Sequence, residues 1–272
     1  MVVVAEKVAI LGAGKMGEAL MSGLLRAGRA PTDLLFSERH PDRTALLTER
    51  YGVQGVASTE AARLADTLLV AVKPQEMGAL LDELAGAVKP ETLVITIAAG
   101  IPTTFLESRL ADGVPVVRVM SNTPVFVDEA MSAVAAGAHA TEEHLARTET
   151  LLKSVGKVIR VPESQLDAVT ALSGSGPAYF FFLVEAMIDA GVLLGLPRAV
   201  AAELIVQTAV GSAKMLSESG EHPVQLREAV TSPGGTTIAA IRELENHGVR
   251  AALLAALEAA RDRSRELAAG QA

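Results

Sequence analysis

The stretch that indicates the architecture most strongly is Lys7-Val8-Ala9-Ile10-Leu11-Gly12-Ala13-Gly14-Lys15-Met16-Gly17. Its apolar first half predicts a buried strand, and the Ala/Leu-rich pattern that follows as far as Gly28 predicts a helix. The glycines between them have the spacing Gly-x-Gly-x-x-Gly. In this context the first glycine makes a tight turn, the second lets the backbone approach a pyrophosphate, and the third lets helix and strand pack closely. The stretch therefore predicts a dinucleotide site; the alternative is a glycine-rich turn without a ligand.

Further apolar runs alternate with helical patterns along the first half of the chain. Strands are predicted at 34–36, 67–72, 93–97 and 116–120, and two more at 131–134 and 155–161 with a helix at 142–155 between them. Continuous apolar strands separated by helices indicate a parallel sheet covered on both faces. Ligands of such sheets bind beyond the carboxyl ends of the strands. Asn122 and Thr123 follow one strand and could hydrogen-bond a nicotinamide carboxamide, although the proline and glycine residues in these loops are also ordinary turn residues.

The end of the second strand bears on the choice of cofactor. Sites that prefer NAD place an acid here for the ribose diol, whereas NADP sites place an arginine for the 2′-phosphate. This sequence has Ser37-Glu38-Arg39-His40. A serine hydroxyl can donate to a phosphate oxygen and an arginine can pair with it, so NADPH is the expected cofactor and NADH the alternative. The competing interpretation is that Glu38, Arg39 and Arg43 form a solvated loop.

No strand pattern follows Val161. Helices are predicted at 177–195, 197–218, 222–230, 235–247 and 248–269, and the domain boundary is placed near Glu163. The fold expected is α/β: a Rossmann-type parallel sheet domain (1–162) followed by an all-α domain (163–272). The helix from Pro177 to Leu194 is apolar nearly all round, which predicts burial on every side. A homodimer built on these helices would bury it; the alternative is the central helix of a monomeric bundle.

A hydroxyl-rich turn, Thr231-Ser232-Pro233-Gly234-Gly235-Thr236-Thr237, precedes the fourth of these helices. Its free amide N–H groups would suit a carboxylate or a phosphate; the alternative is an ordinary N-cap by Ser or Thr. Proton donors are scarce in the helical half, whose one lysine is Lys214 and whose histidines lie in polar segments. Reducing a ketone normally calls for such a donor. A protonated imine already carries the proton, so an imine substrate fits better.

The composition of the chain excludes several classes of protein and of functional site. The formal net charge of −8 argues against a nucleic-acid partner. The chain has no cysteine, which removes disulfides, thiolate nucleophiles and Cys-ligated metals, and no metal site is predicted. Residues 1–6 form too short an apolar run for a signal peptide, and no uncharged stretch reaches membrane-spanning length. A cytoplasmic protein without a membrane partner is expected.

These motifs resemble the pyrroline-5-carboxylate reductases, which reduce L-1-pyrroline-5-carboxylate to L-proline in the last step of proline synthesis. The match covers essentially the whole chain. The glycine loop and residues 71–75, 98–100 and 122–124 look like the cofactor segments of the family. Residues 167–179 are similar to its dimer-helix signature, and 226–237 to its substrate loop. The resemblance implies a Rossmann domain, an all-helical dimerisation domain, a substrate loop that completes the partner subunit's site, and in some members a decamer.

The resemblance also implies individual roles. Thr237 would be the catalytic residue that hydrogen-bonds the ring nitrogen, and Glu163 would lie near the product. The substrate carboxylate would meet Ser232, Gly234, Gly235 and Thr236. The cofactor would contact Gly12, Ala13, Gly14, Lys15, Met16, Gly17, Ser37, Arg39, Ala71, Val72, Lys73, Pro74, Ala98, Ala99, Gly100, Asn122 and Thr123.

The sequence departs from the family pattern at three positions. Ser121 replaces the proline of many members, and little effect is expected. Thr59 stands where many have an asparagine near the adenine, and Glu38 could oppose a 2′-phosphate.

Three other functions compete with this interpretation. One is reduction of another cyclic imine. A second is β-hydroxyacid dehydrogenase chemistry, which needs a lysine in the long helix; residues 177–195 contain none. The third is a nucleotide-binding regulator without catalysis, which would not need the hydroxyl-rich turn.

Overall fold

The computed structural model of the chain describes residues 6–269. The expectation that the chain starts without a signal peptide therefore rests largely on residues 1–5, which lie outside the described part. Within residues 6–269 the first half of the chain forms a sheet of eight strands. They are β1 Val8–Leu11, β2 Leu34–Ser37, β3 Gln54–Gly55, β4 Thr67–Val70, β5 Leu93–Thr96, β6 Val116–Met120, β7 Ala130–Ala136 and β8 Gly156–Arg160.

The order of the strands in the sheet is β3-β2-β1-β4-β5-β6-β7-β8. The first six are mutually parallel, and the order reverses at β1, as in dinucleotide-binding folds. The predicted parallel sheet is confirmed there. One pairing differs from it, because β7 runs antiparallel to β6, with Met120 opposite Ala133. The connection between them, residues 121–129, is shorter than the dozen or so residues that a parallel crossover requires.

Helices cover both faces of the sheet. They are α1 Lys15–Arg26, α2 Pro41–Tyr51, α3 Ser58–Leu64, α4 Met77–Leu84, α5 Thr103–Glu107 and α6 Glu142–Leu152. Alternate residues of β1 enter different cores: Val8 and Ile10 pack with α1 and α6, whereas Ala9 and Leu11 pack with α3 and α4. A strand buried on both faces has no polar side, which explains why these runs are apolar throughout.

The described chain divides into two compact units, with the divisions after Ser175 and before Ala260. The first unit extends beyond the sheet through α7 Leu166–Val169 and a π-helical turn, Thr170–Gly174. The domain boundary near Glu163 stays a prediction, because it divides the chain by function, whereas the two units divide it by compactness. Within the described residues no strand follows β8, as predicted. The remaining helices are α8 Gly176–Leu193, α9 Arg198–Glu218, α10 Pro223–Ala229, α11 Thr236–Asn246 and α12 Val249–Ala269.

Helices α8 and α9 form an antiparallel pair inside the second unit. Gly191 lies so close to Ala201 that a Cβ added to the glycine would be 2.8 Å from the alanine Cβ. An ion pair of 2.8 Å joins Asp189 and Arg198 across the connection. The single chain leaves much of the apolar surface of α8 uncovered: Phe180, Phe181 and Phe182 are each at least 67% exposed.

Two helical segments, Glu163–Leu193 and Arg198–Glu218, are long and apolar enough to cross a membrane by length and composition alone. The predicted absence of an uncharged stretch of membrane-spanning length is a different criterion, since both segments contain charged residues. An apolar helix that packs against another protein chain passes the same test.

Candidate active site

The loops that follow five parallel strands lie along one edge of the sheet. Because β2, β1, β4, β5 and β6 are parallel neighbours in that order, their carboxyl ends meet there. This edge brings together every residue predicted to contact the cofactor. They are residues 12–17 after β1, Ser37 at the end of β2 and Arg39 after it, residues 71–74 after β4, residues 98–100 after β5, and Asn122 and Thr123 after β6.

The glycine turn has two tight positions and one open one. Gly12 has a φ of +93°, and a Cβ there would lie 2.8 Å from Val72 Cγ1. A Cβ on Gly17 would overlap the carbonyl oxygen of Gly12. Nothing lies within 4 Å of the corresponding position on Gly14, which begins α1 without a side-chain cap. This is the arrangement that a pyrophosphate needs, since the open glycine leaves room for it beside the free N–H groups of the helix.

A groove of about 1100 Å³ opens along the ends of β1, β2 and β4. The hydroxyl oxygens of Ser37 and Ser58 are 2.9 Å apart in it. The guanidinium of Arg39 is 60% exposed and pairs with Glu76 at 3.0 Å. Ser58 lines the groove at the start of α3 and escaped the sequence analysis. Its local signal is a hydroxyl at the first position of α3, a helix that follows the two-residue strand β3.

Arg43 is not part of a solvated loop. Its Nε–H donates to the carbonyl oxygen of Ala13 at 2.8 Å, and its Nη2 donates to Glu18 Oε2 at 2.8 Å. Glu18 also accepts from the Tyr51 hydroxyl at 2.9 Å. Burial, followed by the hydrogen bond to Glu18, raises the pKa of Tyr51. This network joins α2 to the glycine turn.

The side chain of Asn122 makes hydrogen bonds within the first unit. Its Oδ1 accepts the N–H of Met131 at 2.9 Å, and its Nδ2 donates to the carbonyl oxygen of Ser173 at 3.2 Å. The side chain therefore holds the loop after β6 against the π-helical turn. The predicted bond from this amide to a nicotinamide stays a prediction, and its carbonyl oxygen already has one partner.

Glu163 lies in a short 3₁₀ turn, Glu163–Gln165, after β8. Its carboxylate accepts the N–H of Thr103 at 2.8 Å and the hydroxyl of Thr103 at 2.7 Å. Arg118, almost wholly buried in β6, donates to the same carboxylate at 3.1 Å. These bonds join α5, β6 and the turn. They assign Glu163 a structural task, while its predicted contact with the product stays a prediction.

Replacing Glu163 by alanine is expected to lower the free energy of unfolding by about 3 kcal/mol, because it leaves the charge of Arg118 buried without its partner. Denaturant titration at a fixed protein concentration measures the change. Glu91→Ala, which removes an exposed glutamate, is the matched control. The double variant Glu163→Ala/Arg118→Met should recover part of the loss, since it removes the unpaired charge as well. A loss no larger than that of Glu91→Ala would contradict the role.

The predicted substrate turn lies in the second unit. Gly235 N–H donates to the carbonyl oxygen of Ser232 at 3.1 Å. Gly234 between them has a φ of +66°. With proline at the second position, this is the pattern of a type II turn. A Cβ added at Gly235 would overlap the Ser232 hydroxyl. The prediction that Gly235 offers a free amide to a carboxylate is therefore corrected, since that N–H closes the turn.

Helix α11 begins directly after this turn. Its N-cap is Gly235, and no side chain caps it. The ordinary Ser or Thr cap, which was the alternative interpretation of this stretch, is therefore wrong. The N–H groups of Thr236 and Thr237 open the helix, where the α-helix itself provides no acceptor. The hydroxyls of Ser232, Thr236 and Thr237 stand in the same segment. Amides and hydroxyls gathered at a helix start can hold a carboxylate.

No cluster of three or more metal-binding side chains occurs among residues 6–269.

Comparisons with known proteins agree with both halves of the chain. A family model described as pyrroline-5-carboxylate reductase dimerisation matches residues 163–267. A model described as NADP oxidoreductase coenzyme F420-dependent matches residues 7–100. The chain is 46% identical over 284 residues to the pyrroline-5-carboxylate reductase of Mycobacterium tuberculosis, and the alignment covers 96% of both proteins.

Solved structures show the same fold over the whole length. A pyrroline-5-carboxylate reductase from Coxiella burnetii has a TM-score of 0.90 and 34% identity, with 97% of this chain and 99% of that chain covered. Plasmodium falciparum pyrroline carboxylate reductase with NADP bound has a TM-score of 0.87 and 29% identity, with 97% and 98% covered. Sequence identity, fold and matched models converge, and the chain belongs to the pyrroline-5-carboxylate reductase family.

Proposed function

We propose that this protein reduces the C=N bond of L-1-pyrroline-5-carboxylate to give L-proline, the last step of proline biosynthesis, with NADPH as the reductant. The observation that carries the proposal is the start of α11, where amides and hydroxyls meet without a side-chain cap. A protein that only bound a nucleotide would need no such turn. The 46% identity to a reductase of this name over 96% of the chain supports the proposal.

The edge of the sheet holds the cofactor in this proposal. When bound, NADPH supplies the hydride that reduces the substrate. The backbone at residues 12–17 binds the pyrophosphate, and the loops after β4, β5 and β6 bind the nicotinamide half. Ser37, Arg39 and Ser58 bind the 2′-phosphate. The open space at Gly14 and the paired hydroxyls in the groove support this fit.

The turn before α11 holds the substrate. The amides of Thr236 and Gly234 and the hydroxyl of Ser232 bind the carboxylate, and the hydroxyl of Thr237 orients the ring nitrogen. The protonated imine is already electrophilic, so these residues need only position it. A carboxylate at a helix start also gains from the helix dipole.

Replacing Arg39 by alanine is expected to raise KM for NADPH about 10- to 100-fold and KM for NADH much less, because only NADPH loses a charge-assisted hydrogen bond. Steady-state kinetics with each cofactor measure the two constants. Arg63→Ala, an exposed arginine of α3, should leave both unchanged. An equal rise in the two constants would show that Arg39 does not bind the 2′-phosphate.

The proposed assembly is a homodimer built on α8 and α9, with a decamer of five dimers as the larger form, in the cytoplasm. The exposed aromatic side chains of α8 and the match to a dimerisation model support the dimer. A second copy would cover the apolar helices, so the proposal includes no membrane. The net charge of −8 is unfavourable for a nucleic-acid partner. Light scattering of the purified protein gives the oligomer size.

The substrate turn is proposed to serve the partner subunit's cofactor. Mixing two inactive variants tests this: Thr237→Ala, which damages the turn, and Gly14→Val, which blocks the pyrophosphate site. If turns cross between subunits, each mixed dimer contains one site with neither defect, and activity returns on mixing. If turns serve their own subunit, every site carries one defect and activity stays absent.

The reaction itself is tested by following NADPH oxidation with pyrroline-5-carboxylate as substrate. Turnover that requires this substrate would support the proposal. Turnover with another cyclic imine alone would favour that alternative. Binding of the cofactor without turnover in the presence of NADPH or NADH would favour a regulator and overturn the reductase assignment.

A further inference from the structure

The residue after β2 is an acid whose carboxylate is turned away from solvent. Glu38 lines the groove, at the position where an acid binds the ribose diol of NAD. Its side chain is only 11% exposed. One carboxylate oxygen accepts the N–H of His40 at 3.2 Å, and the other lies 3.9 Å from Nε of Arg43. The Glu38 carboxylate is therefore largely buried and has a cationic neighbour, Arg43.

Arg43 meets three groups at once. Its guanidinium bonds the Ala13 carbonyl and the Glu18 carboxylate, each at 2.8 Å, while Nε also faces Glu38. The first two contacts fix the guanidinium, so its charge stays beside Glu38 whichever cofactor binds. Arg50, on the same helix, shares Glu18 at 3.1 Å and is 63% exposed. Arg50 thus offers a comparison residue that shares one partner of Arg43.

We propose that Arg43 determines the preference for NADPH over NADH. It does so by neutralising the charge of the Glu38 carboxylate and by holding that carboxylate in its largely buried position. This inference rests on the proposed use of NADPH. With Arg43 present, the negative charge of Glu38 is balanced and a 2′-phosphate can lie near Ser37 and Arg39. Without Arg43, Glu38 becomes an unpaired carboxylate beside the phosphate, and like charges repel. The freed carboxylate can also accept hydrogen bonds from the ribose hydroxyls of NADH. Arg43 is accordingly a positioning residue that acts through Glu38.

The test measures the dissociation constants of NADPH and NADH for the full-length protein by cofactor fluorescence. Direct binding keeps this test separate from the proposed reaction, since it needs no turnover. Four variants are compared with the parent: Arg43→Gln, Glu38→Gln, the double variant, and Arg50→Gln as the matched control. Thermal melting of each shows whether it is folded.

Arg43→Gln is expected to shift the ratio of the two dissociation constants about tenfold toward NADH, the size of a charge repulsion at close range. Loss of the contact with Ala13 weakens both cofactors alike and so cancels in the ratio. The double variant should restore the parent ratio, since no acid is left to repel the phosphate. Arg50→Gln should leave the ratio unchanged. Glu38→Gln alone should change it less than threefold, because Arg43 already balances that acid.

Three results would overturn the inference. A parental ratio in Arg43→Gln would show that Arg43 only braces the glycine turn. A shifted ratio that persists in the double variant would show that Arg43 binds the 2′-phosphate directly. A gain of tenfold or more in NADPH preference for Glu38→Gln alone would show that the acid was never neutralised, and this result is available even if Arg43→Gln does not fold.

Discussion

Thr237→Ala is expected to lower kcat/KM for pyrroline-5-carboxylate about 100-fold or more, since losing one positioned hydrogen bond to a reacting group typically costs about 2.7–4 kcal/mol. Thr237 is the second residue of α11, and its hydroxyl is proposed to orient the ring nitrogen. The dissociation constant of NADPH should change little, because the residues proposed to bind the cofactor lie in the other unit. Steady-state kinetics and direct binding together separate the two effects.

Two further variants make the Thr237 result specific. Thr237→Ser keeps the hydroxyl and should retain most of the activity. Thr150→Ala removes a hydroxyl that bonds the carbonyl oxygen of Ala146 on α6 at 2.9 Å, and it should leave kcat/KM unchanged. If Thr237→Ala has the kcat/KM of the parent, the hydroxyl plays no part in the reaction and the assignment of the turn loses its catalytic residue.

Gly14→Ala is expected to weaken NADPH binding about 10- to 100-fold while the protein stays folded, because the added methyl group takes up space that the bound pyrophosphate would need. Nothing in the chain lies within 4 Å of that methyl position, so the substitution creates no clash within the fold. Cofactor titration gives the change in affinity, and thermal melting gives the change in stability.

Gly17→Ala supplies the contrasting result. Its Cβ would overlap the carbonyl oxygen of Gly12 and approach Ile10 Cγ2 at 3.2 Å. The strand and helix would have to separate, and overpacking of this kind costs about 1–3 kcal/mol of stability. Gly17→Ala should therefore lower the melting temperature, whereas Gly14→Ala should not. Unchanged NADPH affinity in Gly14→Ala would show that the pyrophosphate does not pass over this glycine.

The helical half shows how far hydrophobic pattern predicts structure. The predicted helix 197–218 is observed as Arg198–Glu218, and 248–269 as Val249–Ala269. Long helices have caps and periodicity that a sequence displays locally. The two-residue strand β3 escaped prediction, because so short a strand has no pattern of its own and forms through its pairing with β2. The antiparallel direction of β7 likewise depends on the length of its connection.

The side-chain partners within the site required the tertiary structure. Thr103 and Glu163 are 60 residues apart in the chain and bond directly, and no local pattern connects them. Asn122 has a residue type and a position that suit a cofactor contact. In the fold its side-chain amide accepts the N–H of Met131 and donates to the carbonyl oxygen of Ser173. A polar side chain takes the nearest available partners in the fold, and these come from elements that are distant in sequence.

The stretch Lys7–Gly17 by itself determined the strand, the turn and the helix that begin the nucleotide-binding edge, because glycine spacing and a continuous apolar run act over a few residues. The family resemblance likewise came from contiguous motifs. Only the tertiary structure decided three features of the site. The Glu38 carboxylate is largely buried beside Arg43, the hydroxyls of Ser58 and Ser37 are in contact in the groove, and the amide N–H of Gly235 closes its turn. The physical reason is that charges and hydrogen-bonding groups are satisfied by proximity in space, which the packing of the elements sets.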